Sequence, residues 1–252
     1  MTRFLAVAAL LAPVPLYAAD KPAAGVPVAG VGVVSSDHKT VFVPAKDGGI
    51  EALDLTTGKV LWTNKDANKL AGASDALVFA WVGDEKKPNS FRVVAMDAAT
   101  GKTTGKSDPI ALPEWATTAK AGGHAFRTAA RADEEAVVVV WQAGTSYFGG
   151  ARPTPEIEAA ARKNESGLTR FDLKTGKSIP TKDKPKDDDF KAGPAGAFNN
   201  KVGDYEFRVA EQLPGFKPGA AMVTKVTLTV LKGKDEVWKR ELAGNPWSPP
   251  PP

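Results

Sequence analysis

Short stretches of alternating apolar and polar residues, each closed by turn-forming residues, make up most of the chain. The clearest is Ile50-Glu51-Ala52-Leu53-Asp54-Leu55, which runs through Thr56-Thr57-Gly58-Lys59 into Val60-Leu61-Trp62. A period of two on both sides of a turn predicts a β-hairpin. The unit returns as Arg92-Val93-Val94-Ala95-Met96-Asp97-Ala98-Ala99-Thr100-Gly101-Lys102 and again as Leu168-Thr169-Arg170-Phe171-Asp172-Leu173-Lys174-Thr175-Gly176-Lys177. A fourth, degraded copy spans residues 227–238, matched by Trp238 and its strand-turn-strand pattern, with Val230 in the Asp place.

The chemistry of the turn follows from its residues. An Asp at a strand end accepts bonds from amides two or three residues on, Thr adds a hydroxyl, and Gly supplies the positive φ of a hairpin turn with a bulge. Asp54, Thr57 and Gly58, then Asp97, Thr100 and Gly101, then Asp172, Thr175 and Gly176 fill these places. Ahead of each hairpin lies another extended run, at residues 40–43, 76–82, 136–141 and 205–209, and weaker runs precede those at 30–34, 71–74, 124–129 and near Ala197. Each unit therefore predicts about four antiparallel strands, the content of one propeller blade.

The segment Ala52-x-Asp54-x-x-Thr57-Gly58-Lys59-x-x-Trp62 resembles the tryptophan-docking repeat of the pyrroloquinoline-quinone-type β-propellers. That superfamily includes quinoprotein alcohol dehydrogenases and the propeller lipoprotein of the outer-membrane barrel-assembly machinery. The resemblance implies that Trp62 and Trp238 pack between neighbouring blades. It is close over 52–62, partial at 95–102 and 170–177, which lack the Trp, and weak at 229–238. The quinone enzymes of the superfamily carry about eight blades and often adjacent cysteines over the cofactor, whereas this chain has four repeats and no cysteine. Quinone binding is disfavoured on that ground, and no cofactor is expected.

Composition narrows the class. With 42% hydrophobic and 25% charged residues the chain is globular, and 24 Gly with 20 Pro favour many short elements, so the expected class is all-β. Arg3, an apolar stretch over residues 4–16 and small residues at Ala18 and Ala19 predict an export signal over 1–19, cleaved near Ala18 or Ala19. The mature protein is then periplasmic or secreted. No later stretch is apolar and long enough to span a membrane. The net charge of +4 does not gather into a basic stripe, since the lysines sit singly at turns or alternate with acids, so nucleic acid is not an expected partner.

Candidate chemistry is sparse. Gly30-x-Gly32-x-x-Ser35 leads into a strand rather than a helix and offers no pyrophosphate site. His38 and His124 stand far apart without acidic partners, and Asp187-Asp188-Asp189 reads as part of a disordered acidic linker, so neither a catalytic group nor a metal site is expected. Asn164-Glu165-Ser166 fits a glycosylation sequon. The candidate binding residues are Tyr147, Phe148 and Arg152, in a glycine-flanked loop, with Trp141 weighed beside them as either binding aromatic or core.

The expected organisation is a propeller-like domain over 26–244, with blades near 26–65, 69–107, 122–181 and 195–243. An insertion at 142–166 holds a helix capped by Thr154, with Pro155 at its first position, that runs through 157–163; a linker covers 181–194, and a Pro-rich tail 245–252. Four blades make a partial ring or one completed by a partner, including a second copy. The expected function is an exported, non-enzymatic binding or scaffold module for a protein or cell-envelope glycan. The alternative is a quinone-dependent redox enzyme or sugar-binding propeller.

Overall fold

Apolar residues on both edges of so many short strands must be buried face to face, and the chain meets this with four antiparallel sheets. The computed structural model describes residues 24–67, 69–84, 87, 89–113, 123–132, 136–146, 164–172, 175–194, 200–212 and 225–242. The first sheet orders β1 (Val26–Val28), β2 (Gly32–Val34), β3 (Thr40–Pro44), β4 (Ile50–Asp54) and β5 (Val60–Asn64) as a meander. In the second, β6 (Lys69–Ala73), β7 (Leu77–Gly83) and β8 (Ser90–Asp97) pair in sequence, and β9 (Thr103–Lys106) and β10 (Ile110–Ala111) both pair with β8. The third is β11 (Gly123–Ala132), β12 (Ala136–Ser146), β13 (Asn164–Asp172) and β14 (Ser178–Ile179); the fourth is β15 (Lys201–Val202), β16 (Tyr205–Gln212), β17 (Lys225–Lys232) and β18 (Asp235–Leu242). The class is all-β.

Two sheets depart from four strands. β9 and β10 are one outer strand interrupted before Pro109, where Ser107 bridges the gap: its amide donates to the Val93 carbonyl at 2.9 Å and its Oγ accepts from the Val93 amide at 2.9 Å. The first sheet gains a true fifth strand, β1, whose neighbouring Gly25 amide reaches the Ala73 carbonyl of the second sheet at 2.9 Å. The expected insertion also narrows to 147–163, because β12 continues through Ser146 and β13 begins at Asn164. The helix expected at 157–163 and the run near Ala197 lie outside the described residues.

The sheets stack in the order fourth, first, second, third. Val41, Leu53, Phe207, Leu228 and Trp238 join the fourth sheet to the first. On the other face of the first sheet, Phe42, Ile50 and Ala52 meet Val78, Ala80 and Met96 of the second. Phe79, Trp81 and Phe91 on the far side of the second meet Val137, Val139, Trp141 and Phe171 of the third. Among the described residues no core cluster joins the third sheet to the fourth.

The hairpin turns are the joints of this stack. Gly58, Gly101 and Gly176 have φ of 67°, 70° and 69°. The Asp54 carboxylate accepts from the Thr57 amide at 2.8 Å and hydroxyl at 2.9 Å, Asp97 accepts from the Thr100 amide at 2.8 Å and hydroxyl at 2.7 Å, and Asp172 accepts from the Thr175 amide at 2.6 Å. The Thr56 hydroxyl, donating to Asp54 at 2.7 Å, and then the Thr57 hydroxyl hold the Asp54 carboxyl below the usual carboxylate range, as the Thr100 hydroxyl does for Asp97. Trp62 lies on the second sheet's turn, its Nε1 donating to the Ala98 carbonyl at 2.9 Å while its ring takes the space a Cβ on Gly101 would need. Trp238 repeats the arrangement on the first sheet's turn, donating to the Leu55 carbonyl at 2.8 Å over Gly58.

Register corrects the alignment of the fourth unit. Val230 pairs with Trp238 as Ala52 pairs with Trp62, and each pair is followed by a register shift, so Val230 holds the Ala52 place and not the Asp place. The fourth turn is shorter and carries Gly233 at φ 65°. In the second unit Gly105 lies opposite Ala95 where an indole would sit, and the Lys106 carbonyl closes directly on Gly176. The cleft left between Val93, Ala95, Gly105, Val137 and Phe171 is about 20 Å³, room for one water.

Candidate functional site

The third sheet has the longest strands of the four, and among the described residues one of its faces is covered by another sheet. Alternation along β11 and β12 turns Ala130, Ala132, Val137, Val139 and Trp141 toward the second sheet. The opposite face carries Arg127, Ala129 and Arg131 on β11 and their partners Gln142, Val140 and Val138 on β12, with Leu168 and Arg170 beyond on β13. Three arginines and a small apolar centre therefore share one face.

That face is crossed by the segment expected to be a disordered linker. Residues 181–186 form no regular secondary structure, with Lys186 in extended backbone, and Asp187–Ala192 form a 3-10 helix, η1. The reason is local capping and an anchor: the Lys186 amide donates to the Asp189 carboxylate at 2.8 Å, the Asp189 amide donates to the Lys186 carbonyl at 3.0 Å, and Phe190 packs with Ala129, Val140 and Leu168. Phe190 retains 6% exposure. The Arg127 guanidinium stacks on its ring at 4.1 Å and lies 3.5 Å from the Asp187 carboxylate; Arg131 reaches Asp189 at 3.5 Å. Gly193 passes so close to the Thr128 carbonyl that a Cβ there would stand 2.8 Å from it. Asp188 faces away and pairs with Lys191 at 2.7 Å, which lowers the carboxyl and raises the amine.

At the end of the same face Arg127 Nε donates to Gln142 Oε1 at 2.6 Å, and Gln142 Nε2 donates to Asn164 Oδ1 at 2.9 Å. This polar row sits where β12 and β13 lead out of and back into the sheet around residues 147–163. Tyr147, Phe148 and Arg152 lie in that interval, outside the described residues. Trp141 is core, 8% exposed, its ring lying on Gly167 of the next strand. Asn164 of the sequon is exposed.

Other candidates are placed plainly. His38 is exposed in a turn at φ 57°, and the His124 side chain lies outside the description. Among the described residues no three His, Cys, Asp or Glu side chains gather as metal ligands, and no helix is long and apolar enough to cross a membrane. Among the described residues Lys69 is the most perturbed cation: burial lowers its amine to about 8 although it lies 4.9 Å from the Trp81 ring. Sequence reasoning missed Arg127, Arg131 and Phe190. The signal was present in arginines an even number of residues apart in a strand and in an aromatic placed directly after an acidic run.

No protein-family model matches the chain, and no curated protein matches it. A solved structure of a quinohemoprotein alcohol dehydrogenase from Pseudomonas putida HK5 is similar to the chain at 18% identity, covering 81% of this chain and 33% of that one, with a TM-score of 0.32. The chain thus spans about a third of the length of that enzyme.

Proposed function

We propose that the four sheets are blades of a propeller-type arc and that the chain is an exported, non-enzymatic binding module. The tryptophan-to-turn joints support the blade reading, because one joint is repeated between the fourth and first sheets and between the first and second. The observation that carries the binding reading is the third sheet: its long strands support the 147–163 interval, and the base of that interval is a hydrogen-bonded Arg127-Gln142-Asn164 row rather than packed core. Recognition belongs on such an arm, since the interior faces of the arc are taken up by packing. Tyr147, Phe148 and Arg152 are the proposed anchors, for a protein or a cell-envelope glycan.

The test is capture from the exported fraction of the native host by immobilised mature protein, wild type against Tyr147→Ala/Phe148→Ala/Arg152→Ala. The triple variant is expected to lose the captured component with its melting temperature within about 2 °C of wild type, as for substitutions outside a core. Retained capture overturns the assignment of the anchors. A rise in melting temperature with pyrroloquinoline quinone and calcium overturns the non-enzymatic reading, because a ligand of the native state must stabilise it.

A further inference from the structure

We infer that the outward face of the third sheet is a docking surface for an extended partner segment carrying carboxylates and one aromatic ring, and that η1 with its flanks is a tethered stand-in for that segment. The inference rests on the reading of the third sheet as the recognition arm and names the chemistry it recognises.

The contacts of η1 are those of a bound peptide and not of a blade. One ring fills the apolar centre formed by Ala129, Val140 and Leu168, one guanidinium covers the ring, and two carboxylates meet two arginines. Among the described residues the backbone hydrogen bonds of the strap are local, from Asp189 to Lys186 and from Gly193 to Phe190, and none pairs it with a strand of the sheet. Its approach at 181–186 has no regular secondary structure and is largely exposed. Both ion pairs are long, and the Asp187 side chain is 99% exposed, so these contacts select charge more than they hold the strap in place. Anchored by the Phe190 ring and by the close seat of Gly193 on the Thr128 carbonyl, with no carboxylate bond shorter than 3.5 Å to the sheet, the strap can be exchanged for a segment that offers the same groups.

The fourth sheet of a second copy does not match the face. On the outward side of that sheet Glu206, Arg208, Lys225, Thr227, Thr229 and Lys239 alternate with the buried positions. Among the described residues it offers no aromatic group to replace Phe190, and Arg208 is already paired with Glu206 at 2.6 Å. An acidic segment with an aromatic residue supplies both what the arginines and what the apolar centre require.

The probe is a fluorescein-labelled synthetic peptide of residues 182–194, titrated onto the mature protein by anisotropy. In the wild type the tethered copy competes at an effective concentration on the order of millimolar, so binding is weak. Phe190→Ser in the protein is expected to tighten peptide binding at least tenfold, and adding Arg131→Gln is expected to return it to the wild-type level. A peptide with Ser in place of its Phe is expected not to bind. If Phe190→Ser fails to fold by circular dichroism, Asp187→Asn/Asp189→Asn takes its place, with an expected threefold tightening. Binding no tighter than wild type, or indifferent to Arg131→Gln, overturns the inference; so does a released variant that dimerises without peptide, which would make the face a self-association surface. The peptide reads this face without the native partner, so a failed titration leaves the capture experiment standing. Capture retained by the triple variant together with a positive titration removes only the anchors at 147, 148 and 152.

Discussion

Gly58, Gly101 and Gly233 share a left-handed backbone but not the same surroundings. A Cβ on Gly58 or Gly101 would lie 2.5 Å from an indole carbon, whereas a Cβ on Gly233 would meet nothing within 4 Å. Gly233→Ala therefore isolates the backbone term, about 1 kcal/mol. Gly101→Ala adds displacement of Trp62 and is expected to cost roughly 2–4 kcal/mol in urea unfolding, with overpacking the larger part. Equal losses at the two positions would show that the indole gives way freely and is not a fitted joint. Lys69 supplies a second prediction. Its amine is lowered from 10.5 to about 8 by burial. Below pH 8 the folded and unfolded chains both hold the proton, so the cost of the buried charge is present in full. Between pH 8 and 10.5 the unfolded chain binds more protons than the folded one, and stability rises with pH. Lys69→Met is expected to raise stability at pH 7 and to remove that rise; a wild-type-minus-variant difference flat from pH 7 to 10.5 would refute it.

At the scale of elements, the pattern along a strand reports whether one or both faces of its sheet are covered. Residues 41–43 in β3 and 78–82 in β7 are unbroken apolar runs, and their sheets lie inside the stack. β17 alternates Lys225, Val226, Thr227, Leu228, Thr229 and Val230, with its even-numbered residues buried, and its sheet is covered on one face. That much was legible in the sequence, as were the three Asp-to-Gly turns, whose bonds are local. The run at 136–141 reads as doubly covered too, and so it is, but its second cover is η1, which no alternation announces because a single Phe190 anchors it. The stacking order was not legible either, since Trp238 and Leu55 meet across most of the chain. The fourth unit misaligned for a related reason: with no Asp to mark its turn, spacing alone could not reveal the shorter hairpin that pairing shows.

For the molecule as a whole, the arrangement of joints predicts where it opens first. A stack in which each sheet touches only its neighbours behaves as a chain of interface terms, and an end unit is held by one interface where an inner unit is held by two. The fourth sheet is such an end. It is tied to the first by Trp238 on Gly58, by the apolar cluster around Leu53 and Phe207, and by Arg240, which reaches the Glu51 carboxylate at 2.6 Å through Nη2 and 3.1 Å through Nε. The third sheet is the other end, but η1 covers its free face. Trp238→Ala removes a buried aromatic and leaves the Leu55 carbonyl without its indole donor, a loss of about 3–5 kcal/mol. Because that loss falls on one interface, it should appear as local opening rather than uniform weakening. Hydrogen exchange of the variant is expected to quicken in β16, β17 and β18 at least a hundredfold while β7 and β8 keep their wild-type protection. Trp62→Ala cuts an inner joint and is expected to quicken exchange in the first and second sheets together. If Trp238→Ala instead accelerates all four sheets equally, the molecule opens as one cooperative unit and the independence of its end sheet is disproved.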